Sequence, residues 1–345
     1  MEDNNEAINF TKAWLKVIAS LSYCYFISSK FPKGIYRFFS LLPIFYLFTL
    51  LPLHVTRPIP SIVLGGFFTW LANFKLLLYS FDLGPSSTSY PQGSFLKFFF
   101  ITAFPIEIKE KRPDVRSLTS KTGHKKVIPL NYWSKVTLFV LLEIVYNTTK
   151  SMVVLCGLMY LFIDILFGIC DLIVKSIFDV ELYPPSDEPY LSTSLQDFWG
   201  KRWNHMISSA LRHTIYKPTK STFEKFVGHK CAPLFGVVSC FIVSGLMHEL
   251  IYYHMTRVSP TWEVTWFFVL HGCCVVLEML VKRALGPKWR LHWAFSAPLT
   301  VGFVMVTGFW LFFPQIMRND VDKRATEDIM GLVKYIEGAI YKIVY

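Results

Sequence analysis

Long apolar runs separated by short basic loops set the pattern of this chain. Six stretches, 35–53, 59–81, 152–173, 231–253, 261–281 and 293–313, each hold the roughly 20 mostly apolar residues that a helix needs to cross a hydrocarbon core. The segment 13–29 reads as a seventh span. The run 134–148 is shorter and carries Lys135 and Glu143, yet it completes a count of eight. Leu96–Ile106 is too short to cross and reads as interfacial or re-entrant. No internal repeat and no soluble-domain-sized segment remains, so residues 1–345 read as one integral-membrane unit. The expected fold is all-α: a polytopic helical bundle of about eight spans in the lipid bilayer.

Composition agrees with that pattern. Only 17% of residues are charged and 53% are apolar, with a mean hydropathy of +0.39. A soluble domain averages about 25% charged residues. The net charge of +11 does not point to nucleic acid, because membrane proteins gather Lys and Arg in cytoplasmic loops. Glu107–Lys126 holds seven basic residues against three acidic, Lys201–Lys230 seven against one, and Lys282–Arg290 four against none. Setting all three in the cytosol requires an even number of crossings between them. Eight spans satisfy this and leave both termini on the far side. The seven cysteines form no CxxC pair and lie mostly in apolar runs, which predicts no zinc site and no disulfide framework.

Ionisable groups within spans are expensive and invite a functional reading. The candidates are Lys75, Asp164, Asp171, His248, Glu249, His271 and Glu278. His248 stands out in Ser244-Gly245-Leu246-Met247-His248-Glu249, because a neutral imidazole is cheap to bury and suits general-base work. Ser244 shares its helical face, and Gly245 permits close approach of another helix or a substrate. On spacing alone, a buried structural histidine is equally compatible with this pattern, and His271 in Leu270-His271-Gly272 invites the structural reading more strongly.

A second constellation is Ser194-Leu195-Gln196-Asp197-Phe198-Trp199-Gly200-Lys201-Arg202-Trp203-Asn204. Ser194 with Asp197 makes a start like a capping box. Leu195, Phe198, Trp199, Met206, Ala210 and Leu211 recur at helical spacing, predicting an amphipathic helix on the cytosolic membrane surface. An ideal wheel turns Asn204 roughly 140° from its apolar centre, towards water. No Gly-x-Ser-x-Gly elbow, His-Glu-x-x-His zinc helix or dinucleotide loop occurs in the sequence.

Together these blocks resemble the plant wax synthases, long-chain-alcohol O-fatty-acyltransferases of the membrane-bound O-acyltransferase superfamily. Leu195–Asn204 is followed by Ser244–Glu249, which sets His248 44 positions after Asn204. Trp70-Leu71-Ala72-Asn73-Phe74-Lys75-Leu76-Leu77-Leu78 and Thr300-Val301-Gly302-Phe303 through Phe312-Phe313-Pro314 also match that branch. The resemblance runs from about residue 10 to 318.

It implies a multi-pass enzyme of the endoplasmic reticulum membrane that forms wax esters from fatty acyl-CoA and a fatty alcohol or other lipid alcohol. Acyl-CoA is a substrate, and no cofactor or metal is implied. The superfamily's catalytic histidine falls on His248, as general base, and its upstream polar residue on Asn204. Ser244, Asp197, Trp199, Trp203 and Glu249 take supporting roles, and Lys201, Arg202, Arg212 and Lys217 are expected to hold the CoA phosphates. Relatives that acylate sterols, or acetylate diacylglycerol, share these features. A different class, a transporter with Asp164, Asp171, Glu278 and His271 along a polar path, lacks the paired broken helices that mark transport sites.

Overall fold

A computed structural model describes residues 2–83, 94–109, 131–178, 180–286 and 291–344. Residues 110–126 and 287–290, which carry much of the basic charge behind the expected orientation, lie outside the described residues.

The helices are α1 (Glu2–Phe26), α2 (Ile35–Leu50), α3 (Pro58–Phe81), α4 (Phe95–Ala103), α5 (Tyr132–Thr149), α6 (Met152–Phe178), α7 (His205–Thr256), α8 (Glu263–Leu285), α9 (Trp293–Arg318) and α10 (Val321–Val344). Local chemistry sets several boundaries. Pro58 opens α3 at its first turn, where a missing N–H costs nothing. Asn131 Oδ1 accepts from the Ser134 N–H at 2.8 Å and starts α5. Lys75 Nζ, buried in α3, donates to the carbonyls of Ile101 and Phe104 at 2.6 Å and of Ile106 at 3.2 Å. It thereby closes the end of the short helix α4, a structural use for an intramembrane lysine.

Among the described residues six helices, not eight, have the length and apolarity to cross a membrane: α3, α6, α7, α8, α9 and the α2 segment extended to His54. The segments expected as the other two spans are helical, in α1 and α5, but polar residues lower their hydropathy. The geometry of α5 is informative. Tyr132 meets Gly168, Lys135 pairs with Asp164 at 2.7 Å, and Leu142 touches Gly157, so α5 runs antiparallel along α6. Its one lysine is neutralised within the hairpin.

The expected amphipathic surface helix is also corrected. Leu195–Asp197 and a π turn, Phe198–Arg202, stop at Trp203, whose backbone is extended (φ −84°, ψ 127°). Asn204 then adopts the left-handed conformation (φ 38°, ψ 77°), and α7 begins. Phe198, Met206 and Leu211 are buried. The segment is tied to α8 through Glu278 Oε2, which accepts the Gln196 N–H at 3.2 Å, and through Lys282, which donates to Ser194 Oγ at 3.2 Å. It is wedged into the bundle.

Two apolar cores flank the centre. One joins α1–α4 with the inner face of α6. The other gathers Tyr252 and Met255 of α7, Val264, Phe267 and Phe268 of α8, and Val321 of α10. The helix α7 is interrupted at Gly228, where φ is +75°, a conformation that glycine adopts without a Cβ penalty.

Candidate functional site

His248 sits where the two cores meet. Its Nδ1 lies 2.7 Å from the Ser244 carbonyl oxygen. A carbonyl only accepts, so Nδ1 carries the proton and Nε2 keeps its lone pair. That second nitrogen has no hydrogen-bond partner among the described residues. The ring is stacked on Phe268 at 4.3 Å and met by the edge of Trp70 at 4.9 Å and by Phe312 at 5.7 Å. The residue is half-buried and lines two cavities, of about 260 Å³ and about 710 Å³. The contact from Ser244 is through its backbone, not its hydroxyl.

The placement of the imidazole depends on the α7–α8 crossing. A Cβ on Gly245 would lie 2.9 Å from the Thr265 Cα, so only glycine permits this approach. One turn on, Glu249 Oε1 accepts the Thr265 N–H at 3.2 Å. Glu249 is buried away from both cavities and fixes the crossing.

Asn204 shares both cavities with His248. Its Oδ1 accepts the Ile207 N–H at 3.2 Å and caps α7. The amide NH₂ has no partner among the described residues and remains available as a donor. The helical wheel misplaced this residue because no helix runs through it; Asn is one of the few residues that tolerates its left-handed backbone. Ser208 Oγ donates to the Trp199 carbonyl at 3.0 Å, and Ser209 Oγ donates to Glu107 Oε1 at 2.9 Å, anchoring the first turns of α7. Burial pushes the Glu107 carboxyl up, opposed by the Ser209 hydrogen bond and by the Lys75 charge.

Trp199 and Trp203 line the larger cavity, with Trp203 stacked on Phe198 at 5.5 Å. Arg212 lines it too. Lys201 and Lys217 are exposed and outside its wall. Arg202 is already engaged: Nε donates to Asp197 Oδ2 at 2.9 Å and Nη1 to the Asp187 carbonyl at 2.9 Å. Asp197 is thus a structural partner of Arg202. Asp164, Asp171, His271 and Glu278 line neither cavity, and each is bonded elsewhere within the bundle.

The site has walls that sequence reasoning left unassigned. Trp70, Phe268 and Phe312 box the imidazole, and the Trp70 indole N–H is buried without a partner among the described residues. Each of four π-helical segments, Gly65–Ala72, Phe198–Arg202, Arg212–Tyr216 and Gly308–Phe312, contributes residues to the cavity walls. Such turns insert a residue into the helix and recur at functional sites. Only the positions of Trp70 and Phe312 in blocks that resemble the family hinted at this.

A half-buried imidazole with a free Nε2 and a free amide N–H, lining the same aromatic-walled cavities, can deprotonate a hydroxyl and stabilise an oxyanion. The profile of the membrane bound O-acyl transferase family matches residues 183–270, a stretch that contains both residues. The chain is 38% identical to the long-chain-alcohol O-fatty-acyltransferase of Simmondsia chinensis, covering 98% of this chain and 97% of that protein. It is 40% identical to the probable long-chain-alcohol O-fatty-acyltransferase 8 of Arabidopsis thaliana, over 96% and 97% of the two chains. It is 36% identical to the acyl-CoA–sterol O-acyltransferase 1 of Arabidopsis thaliana, over 94% and 95%.

Proposed function

The chain belongs to the membrane-bound O-acyltransferases of the long-chain-alcohol O-fatty-acyltransferase type, and from that premise we propose that it transfers the acyl group of a fatty acyl-CoA to a long-chain alcohol, forming a wax ester. The observation that carries the reading is the free Nε2 of His248 on cavities shared with the amide of Asn204.

The alcohol oxygen attacks the thioester carbonyl carbon while His248 Nε2 takes the hydroxyl proton. Asn204 Nδ2 donates to the carbonyl oxygen as it gains negative charge. The tetrahedral adduct collapses, the C–S bond breaks, and the imidazolium returns its proton to the thiolate, giving ester and free CoA thiol. No acyl-enzyme is needed. The apolar walls limit hydrolysis of the thioester by water.

The larger cavity suits the acyl-CoA arm, with Arg212 on its wall for a nucleotide phosphate. The smaller takes the acceptor. The membrane is that of the endoplasmic reticulum, with the Lys201–Lys230 region towards the cytosol, where acyl-CoA is supplied. The acyl-CoA–sterol relative makes a sterol the second acceptor to test. Expression in a yeast strain unable to make neutral lipids, with and without added fatty alcohol, separates the two. New wax esters that require the alcohol support the reading; sterol esters without wax esters overturn the choice of acceptor.

A further inference from the structure

The smaller cavity ends on a polar patch for which acyl transfer to a simple alcohol has no use. Glu143 and Tyr146 of α5 and Asp322 and Thr326 of α10 line this end. Their spacings, three and four residues, bring each pair to one face of its helix. The Tyr146 hydroxyl donates to Asp322 Oδ2 at 2.6 Å. Asp322 Oδ1 has no partner among the described residues, although Asp322 is only 8% exposed. Thr326 is 9% exposed, and its hydroxyl makes no hydrogen bond among the described residues, not even to the preceding helical turn. One carboxylate oxygen of Glu143 is likewise buried and unpaired there.

Leaving such groups unpaired is costly, and the rest of the chamber is mostly apolar. A patch that mainly accepts hydrogen bonds complements a donor. The Thr326 hydroxyl can also donate, which matches a hydroxyl ligand and not an ammonium, a donor alone. A 1-alkanol with its only hydroxyl at His248 would press methylenes against this patch.

We propose that Asp322, Thr326 and Glu143 form a second-hydroxyl subsite, so that the preferred acceptor is a lipid alcohol with two hydroxyls, one acylated at His248 and the other donating to Asp322. The proposal rests on the reading of the His248 cavities as the transfer site. Purified full-length enzyme in detergent, given palmitoyl-CoA, is assayed with α,ω-alkanediols of graded length and the matching 1-alkanols. At one chain length the diol should have a kcat/KM about tenfold above its alkanol, the scale of a hydrogen bond to a charged group. Thr326→Val and Asp322→Asn should each collapse that ratio towards one.

The absence of a diol preference at every length overturns the subsite, as does a variant that lowers both acceptors equally. Thermal unfolding gives a second, activity-independent readout: the diol should raise the wild-type Tm more than the alkanol does, and this difference should vanish in Thr326→Val. If no ester forms from either alcohol, the transfer reading fails, while this Tm comparison still decides the subsite. Equal stabilisation by both ligands overturns it.

Discussion

Two histidines lie within neighbouring helices, both boxed by aromatic rings, and they differ in burial and in bonding. His271 on α8 is fully buried, and both of its ring nitrogens are bonded. The Trp199 indole N–H can only donate, so Nδ1 accepts at 3.0 Å; Nε2–H then donates to Thr307 Oγ1 at 2.9 Å, and that hydroxyl donates to the Phe303 carbonyl at 2.7 Å. The chain of donors is complete and leaves no lone pair for chemistry. His248 on α7 is half-buried, bonded at Nδ1 only among the described residues, and open at Nε2. A buried histidine with both nitrogens occupied holds helices together. With one left bare on a cavity, it can move a proton.

The strongest way to break this comparison is to remove the open histidine. His248→Ala should lower kcat by at least about 10²–10⁴-fold, the usual share of a general base, with expression and Tm near wild type. His248→Gln should be equally inactive, since an amide cannot take a proton near neutral pH. A Gln variant that retains most of the wild-type kcat would make His248 a positioning group and erase the distinction.

Asn204 sharpens it next, because its two side-chain atoms have separable duties. Asn204→Ala loses both, and should cost about 10²–10³-fold in kcat, typical of one oxyanion donor, and lower Tm through the missing cap, worth about 0.5–2 kcal/mol. Asn204→Asp keeps an oxygen for the Ile207 N–H but has no amide donor. Its Tm should recover while kcat stays low. Recovery of both would assign Asn204 to capping alone.

The closed histidine should show the opposite profile. His271→Phe leaves the Trp199 N–H unpaired in an apolar setting, at about 1–3 kcal/mol, so thermal unfolding should shift clearly while kcat falls less than tenfold. A loss comparable to that of His248→Ala would show that His271 reaches the substrate. The smallest effect belongs to Thr307→Val, which deletes the last link. About 1 kcal/mol of stability should be lost, with KM for both substrates unaltered.

Much of this comparison is legible in the order of residues alone. Apolar runs of span length reveal a membrane bundle and the histidine within Ser244–Glu249 stands out in its span, but only the resemblance to the acyltransferase family joins it to the asparagine after Trp203. Shortness and the charges of Lys135 and Glu143 also mark the 134–148 run as the weakest candidate span. They cannot show that α5 lies antiparallel to α6 with Lys135 neutralised by Asp164, because that pairing is a contact between helices.

The rest was decided by tertiary structure, for a reason particular to membrane proteins. In a soluble helix the polar face marks the outside, whereas here lipid-facing and cavity-facing positions are both apolar, so periodicity alone cannot tell a wall of the site from a surface against lipid. Trp70, Phe268 and Phe312 went unassigned on that account. The π segments shift the phase of side chains within their helices, and the break at Trp203–Asn204 ends one helix where a wheel assumes continuity. Sequence determined which residues could carry chemistry. Which nitrogen stayed free was settled by what each ring met after folding: a carbonyl on one side of His248, and partners on both sides of His271.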